Sequence, residues 1–525
     1  MEFETAIANA LNWHGNEESR TGALPRISAV GTNQPEQTYP RRVTDMALAV
    51  HRLRVSGRDY GVDGRRTLES MATVEVYREV GDAAWSWVLS HVAEDDGPWL
   101  PATVLDDQPQ TEPAGDRDSL YCGIAGLAPV LAEIALHRAL SPREQDVAAG
   151  IVARLREQAS RRMEPSLYDG LAGDATALRM LAPGSEQVAL GRLLELMTPN
   201  GWNTTFEITT RLDEAPSFDP VTDIVGGTAG IVLAAVWAGG EHAATIGRSG
   251  GECLLRAADA TEAGLDWGMR PGDPSRMPNF SHGTAGVAAA LAIAGKALDR
   301  DDFIDAARRG ARHLLTVGIL DDGGFIIPHT IPPSRREVDP VTFSWCHGPT
   351  GTSYVFAALA HAGVEEVAGF GVAELHRRCM RSLLDSGIPQ RLRPGFWDND
   401  GRCCGTAGVG DALLDAAQHS GDSEWADELL QAARTMGDAL VERAIRDRAG
   451  ARWRFIEHRD DPPLLPPSTS WMQGAAGIAA YLLRIARVVE NVSSARVVDR
   501  PDQWWAVPPS LRTVHTVHTG GTLAG

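Results

Sequence analysis

The chain has 525 residues, 43% of them hydrophobic and 22% charged, a composition that supplies a large buried core. Its formal net charge of −20 argues against nucleic-acid binding, which needs a basic face, and is compatible with a basic peptide partner. No stretch reaches the roughly 18 to 20 uninterrupted apolar residues that span a bilayer, and the acidic start MEFETAIANALNWHGNEESR lacks the order of a signal peptide, so a cytoplasmic protein without a membrane span is expected.

Residues 1–66 read as a partly irregular N-terminal extension, with short amphipathic pieces at Phe3–Trp13 and Val43–Leu53 around a run rich in Pro, Thr, Asn and Gln. A helical period begins at Leu68 and runs to His91, carried by Met71, Val74, Val76, Tyr77, Val80, Ala84, Trp85, Trp87 and Val88. A proline-rich loop follows. Then a repeat takes over. Seven Gly-x-x-Gly motifs each open an apolar stretch: 123–126, 170–173, 227–230, 283–286, 348–351, 405–408 and 474–477. Their first glycines lie 47, 57, 56, 65, 57 and 69 residues apart, the self-similarity of a repeat architecture.

Each motif begins a segment apolar on all sides, such as GTAGVAAALAIAGKAL at 283–298, which is the pattern of a buried helix. Between these lie one-sided stripes. In 299–315, Phe303, Ile304, Ala307, Ala311, Leu314 and Leu315 fall at helical spacing, with Asp301 as the expected cap. Buried helix, link, amphipathic helix and loop make one hairpin per unit. Seven such hairpins predict an all-α fold, a seven-fold α/α toroid of inner and outer helices over residues 67–489. The first glycine is expected to take positive φ in the turn, and the second to permit close helix approach. A short hairpin is expected at Gly323–Pro328, and residues 490–525 read as a C-terminal tail in which Trp504 and Trp505 can dock.

Because the turns are equivalent, the two residues before each motif project from equivalent places at one end of the ring. In order they are Tyr121-Cys122, Tyr168-Asp169, Val225-Gly226, Ser281-His282, Cys346-His347, Cys403-Cys404 and Met472-Gln473. Repeats four to six therefore bring His282, Cys346, His347, Cys403 and Cys404 to one mouth. Thiolates and imidazoles are soft ligands suited to tetrahedral Zn²⁺, and three protein ligands with an open fourth position is the catalytic pattern. The chain's six cysteines are too few and too clustered for a disulfide scaffold. Cys122, in a distant repeat, reads as packing, as do Cys253 and Cys379 in outer-helix segments. Trp345 and Trp471 read as rim packing, and Trp397 and Asp398 as shaping the loop before Cys403.

The ordered motifs NFSHGTAG, SWCHGPTG and CCGTAG resemble the lanthionine synthetase C-like cyclases over about residues 68–489. The resemblance implies one Zn²⁺ per chain held by Cys346, Cys403 and Cys404. It makes His282 the acid/base histidine and matches Asp223 to the family's acidic residue, although Asp223 also reads as a helix cap. Many members have Cys-His where this chain has Cys403-Cys404, and a three-cysteine variant also occurs. The peptide cyclases carry an Arg and a Tyr where this chain has Thr342 and His347. His347 then reads either as a hydrogen-bonding neighbour of the ligands or as a partial replacement for the missing cation.

The implied reaction is addition of a peptide Cys thiol to dehydroalanine or dehydrobutyrine in a dehydrated precursor peptide, forming (methyl)lanthionine. The N-terminal segment is too short for a dehydratase, so a separate dehydratase is expected to supply the substrate. Two other readings stand beside it: addition of glutathione or another small thiol to dehydroamino-acid-containing proteins, and a non-catalytic zinc-stabilised peptide-binding scaffold.

Overall fold

The computed structural model describes residues 62–101, 103–104, 117–205, 220–321, 323–333, 341–390, 399–456 and 463–513, with side chains from residue 73 onward. The expected N-terminal helices at Phe3–Trp13 and Val43–Leu53, the loop residues Trp397 and Asp398, and the end of the tail lie outside the described residues.

The described residues form an all-helical fold with short antiparallel ladders in the loops. Helix α1 spans Val62–Ser90. Six helical pairs follow in chain order: α2 Leu127–Ala135 with α3 Pro142–Gln158, α4 Leu171–Leu181 with α5 Gln187–Leu196, α6 Thr228–Ala238 with α7 Ala243–Arg256, α8 Thr284–Leu298 with α9 Asp301–Val317, α10 Pro349–His361 with α11 Val372–Asp385, and α12 Thr406–His419 with α13 Ser423–Arg443. The last helix, α14, is Ala475–Glu490. Among the described residues no helix is long and apolar enough to cross a membrane.

Two burial patterns separate the helices into layers. Helix α8 is buried without interruption from Thr284 to Gly295, as an all-apolar sequence requires. Its partner α9 buries Phe303, Ala306, Ala307, Gly310, Ala311 and Leu314 and exposes its charged face. Asp301 does not cap α9. It is the first helical residue, after Arg300, and no side chain caps that end. The expected hairpin near Gly323 is the ladder Ile319–Leu320 with Phe325–Ile326.

The buried helices α2, α4, α6, α8, α10, α12 and α14 pack each on the next, and α14 packs back on α2. Among the described residues no amphipathic helix follows α14. Its outer face is covered by α1, which brings Tyr77, Val80, Ala84 and Trp87 into the core and approaches closely where Gly81 meets Leu483. The seventh outer helix thus comes from the start of the chain, a pairing that no local period encodes.

The turns before the buried helices are tied by backbone hydrogen bonds. The N–H of Tyr121 donates to the Tyr168 carbonyl (2.9 Å), Tyr168 to Val225 (3.4 Å), Ile224 to Ser281 (3.2 Å), Ser281 to Cys346 (3.1 Å), Cys346 to Cys403 (3.3 Å), Cys403 to Met472 (2.8 Å), and Met472 back to Tyr121 (3.2 Å). The glycines serve this closeness, and the expectation of positive φ for the first glycine is wrong: in all seven turns it has negative φ, from −91° to −164°. What excludes a side chain is space. A Cβ on Gly126 would lie 2.7 Å from the Leu120 carbonyl and from Trp471 Cβ, and one on Gly230 would strike the Ile224 carbonyl and sit 2.9 Å from Leu167 Cβ.

The segment after α14 turns into the ring. Asp499, Arg500, Asp502, Gln503 and Trp505 are buried. Trp505 Nε1 donates to the Tyr354 carbonyl on α10 (2.9 Å), and Trp237 Nε1 on α6 donates to Asp499 (3.3 Å). Beneath the turns three arginines and three aspartates neutralise one another, all buried: Arg402, Arg484 and Arg500 with Asp411, Asp415 and Asp502.

Gly230→Ala is expected to destabilise the fold by about 1–3 kcal/mol, measured by urea unfolding, because a backbone carbonyl must move. Asp174 on α4 gives a pH signature. Burial pushes its carboxyl up to about 7, opposed by Arg162 and reinforced by Asp118. A group raised in the folded state holds a proton that the unfolded chain has released above about pH 4, so this residue makes stability fall as pH rises from there to about 7. Asp174→Asn is expected to flatten that fall and to exceed the wild type at pH 8 by on the order of 2–4 kcal/mol, read from unfolding midpoints against pH.

Candidate functional site

The fifth and sixth turns place three sulfurs together. The Sγ atoms of Cys346, Cys403 and Cys404 lie within 4.8 Å of one another, and the Cys346–Cys404 pair is 3.6 Å apart. Among the described residues this is the cluster whose donors are arranged for a metal ion. The backbone ladder causes the convergence: Cys346 precedes the Gly348 turn, and its N–H bonds the Cys403 carbonyl of the next turn. Ser344 Oγ lies 3.1 Å from Cys346 Sγ.

The thiols are buried and interdependent. Hydrogen bonds from Cys346 and Cys404, and one from the Tyr121 phenol, hold Cys403 well below the ordinary thiol range. Burial pushes Cys346 up, and sharing its proton with Cys346 and Cys403 pushes Cys404 up. Three negative charges this close repel one another strongly. Carrying three requires a cation at their centre, and the soft donor set fits Zn²⁺.

Beside the sulfurs stands an oriented imidazole. His282 Nδ1 is 2.8 Å from Asp223 Oδ2, and Asp223 Oδ1 accepts the Gly226 N–H at 2.8 Å. Asp223 therefore serves its own turn and the histidine of the next. It is fully buried, whereas His282 keeps 9% exposure at the mouth. The His282 N–H donates to Asn279 Oδ1 (3.2 Å), whose amide nitrogen donates to the His329 carbonyl (3.2 Å). With Nδ1 engaged, Nε2 is the nitrogen left to exchange a proton.

His347 packs between two other imidazoles, its ring centroid 5.5 Å from that of His282 and 4.0 Å from that of His329. Burial, then repulsion by His329 and His282, pushes its pKa well below the ordinary histidine value, so it is neutral near pH 7. Thr342 is fully buried and offers no cation.

All six residues singled out from the sequence lie in turns three to six of the ring, and the structure adds others. In the pair Tyr121-Cys122 the sequence draws attention to the cysteine, yet it is the tyrosine that faces the thiols electrostatically: burial, then the charge of Cys403 and Cys404, pushes its phenol well above the ordinary value. Taken as a closed ring, turn one lies two places from turn six, and that neighbourhood was the available signal. His329 sits in a loop without periodicity, and nothing in its spacing marks it. Trp345 packs edge-on between Tyr168 and Phe280, and Trp471 lies under the Arg402 guanidinium. Cys122 and Cys379 are buried in the core.

The chain belongs to the lanthionine synthetase C-like proteins, whose family model covers residues 115–495. No curated protein matches it in sequence. Among solved structures it is similar to a nisin cyclase, at 14% identity and TM-score 0.44 over 71% of this chain and 89% of that one. It is also similar to a sugar epimerase from a ruminal bacterium, at 12% identity and TM-score 0.41 over 79% and 99%. A third is the cellobiose 2-epimerase of Spirochaeta thermophila, at 10% identity and TM-score 0.41 over 82% and 100%.

Cys404→Ala is expected to lose zinc, measured as metal per chain after dialysis, while His347→Ala keeps it. Retention of a full equivalent by Cys404→Ala would transfer the third ligand position to His347.

Proposed function

We propose that this protein is a lanthionine-forming cyclase built on a seven-fold α/α toroid, adding a peptide Cys thiol to dehydroalanine or dehydrobutyrine. The observation that carries this reading is the convergence of three thiols beside the Asp223–His282 pair at one end of the buried helices. Cys346, Cys403 and Cys404 would hold Zn²⁺, leaving a fourth position open. The ion's contribution, when bound, is to lower the pKa of an incoming thiol so that it reacts as thiolate near neutral pH.

The chain's own groups move the proton. Asp223 fixes the imidazole through Nδ1, and His282 Nε2 accepts the proton of the incoming thiol. The sulfur forms a bond to the β-carbon of the dehydro residue, the α–β double bond opens, and negative charge passes to the carbonyl oxygen as an enolate. His282 Nε2 then returns the proton to the α-carbon, so no proton or electron is gained or lost overall. Neutral His347 can donate a hydrogen bond to the enolate oxygen, as a neutral imidazole does in other enolising sites. Its lowered pKa suits that role, because a neutral donor does not protonate the oxygen outright.

The substrate is then a dehydrated precursor peptide. In an assay of thiol loss and ring formation on a dehydroalanine-containing peptide, His282→Ala is expected to keep zinc and lose about 10²- to 10⁴-fold in kcat. Cys403→Ala should lose both zinc and activity. Full activity in zinc-free protein refutes the mechanism, and turnover with glutathione but not with a peptide thiol replaces the substrate.

A further inference from the structure

The segment 497–512 lies past the residues matched by the family and inside the ring of buried helices. All its principal partners belong to those helices or their turns: Tyr168, Trp237, Tyr354, Asp411, Asp415 and Trp471. Its tip, Arg500-Pro501-Asp502, reaches up to Tyr168 and Trp471, directly under the ring of turns.

Two chains of contact run from this tip to Cys403. In the first, the Arg500 guanidinium lies 3.8 Å from Asp411, and Asp411 pairs with Arg402, the residue before Cys403. Arg402 also lies over the Trp471 ring at 4.4 Å, with Arg500 5.8 Å from the same ring. In the second, Asp502 Oδ2 accepts the Tyr168 hydroxyl (3.3 Å), the Tyr168 ring packs edge-on against Tyr121 at 6.0 Å, and the Tyr121 carbonyl accepts the Met472 N–H (3.2 Å), whose carbonyl in turn accepts the Cys403 N–H (2.8 Å). Arg500 and Asp502 bind each other at 3.4 Å, so the two chains share one base.

We propose that this segment is the floor of the sulfur site, with Arg500 and Asp502 as positioning residues that fix Cys403 from below, one through Arg402 and the other through Tyr168 and Tyr121. The proposal rests on the reading of the three thiols as a metal site. Neither residue touches substrate or metal. Their effect is on how the sixth turn presents its sulfur. A floor made of paired charges suits that task, since a buried guanidinium or carboxylate has one arrangement that satisfies it and resists displacement.

The test uses the full chain loaded with Zn²⁺ for affinity, by competition with a chromophoric chelator, and with Co²⁺ for the sulfur-to-cobalt absorption band. Asp502→Asn, Arg500→Met and Tyr168→Phe are expected to weaken zinc binding about tenfold and to shift the cobalt band while circular dichroism stays unchanged. Arg500→Lys, which keeps the charge, should recover part of the loss. Trp505→Phe, which removes an anchor to α10 away from the turns, should lower Tm without moving the band. Folded Asp502→Asn and Tyr168→Phe proteins with wild-type affinity and spectrum overturn the floor. So does a band moved equally by Trp505→Phe, which reduces the effect to general stability. If Arg500→Met fails to fold, those two isosteric variants decide alone. A wild-type protein that binds no metal overturns the site itself, an outcome distinct from all of these.

Discussion

The constraint on which the rest depends is the closed circuit of backbone hydrogen bonds joining the seven turns, from Tyr121 through Tyr168, Ile224, Ser281, Cys346 and Cys403 to Met472 and back. A circuit this tight leaves no room for Cβ at the second glycine of each turn, where the carbonyl six residues earlier already fills the space. It also fixes where side chains emerge. Cys346 and Cys403 are 57 residues apart in sequence, but their main chains exchange a hydrogen bond, so their sulfurs meet without any dedicated loop. Placement of the site is a by-product of closing the ring.

Charge is arranged in two storeys. At the turns, three thiols lie beside three imidazoles, and Asp223 orients one of them, His282. One level down, three buried arginines and three buried aspartates cancel one another. Burying six charges costs far more than burying apolar groups of equal size unless each finds its partner. Here each does, and the network joins α12, α14 and the inserted C-terminal segment into one body.

The parts legible in the sequence were those that repeat. Seven glycine motifs with apolar helices behind them foretold the buried layer, and the pairs before the motifs picked out Cys346, Cys403, Cys404, His282 and His347. Asp223 was legible only through the family resemblance, since its turn position allowed a cap equally well; the structure has it bonding both Gly226 and His282. What escaped were contacts without a period. Tyr121 stands at a repeat position, yet its role depends on the ring being closed. His329 lies in an irregular loop. Arg500 and Asp502 sit in a stretch that reads as a C-terminal tail, because a charge buried against an opposite charge and a charge left in water look alike in sequence. The first glycine's conformation was misjudged for a related reason: a steric need for glycine and a dihedral need for it leave the same letter.

The pairing of α1 with α14 bears on how the molecule is made. Arg78 and Glu490, which form an ion pair across that seam, are 412 positions apart. Contacts of such sequence separation form late, since closing the intervening chain costs entropy that only the finished neighbours repay. The Arg78–Glu490 pair can form only once all six helical pairs between them are part of the chain. Helix α1 also meets elements nearer in sequence: the Tyr77 hydroxyl donates to Asp438 on α13 (2.6 Å), and Trp85 Nε1 donates to Glu144 on α3 (2.7 Å). The seam therefore acts as a clasp that joins the first and last of the described α-helices.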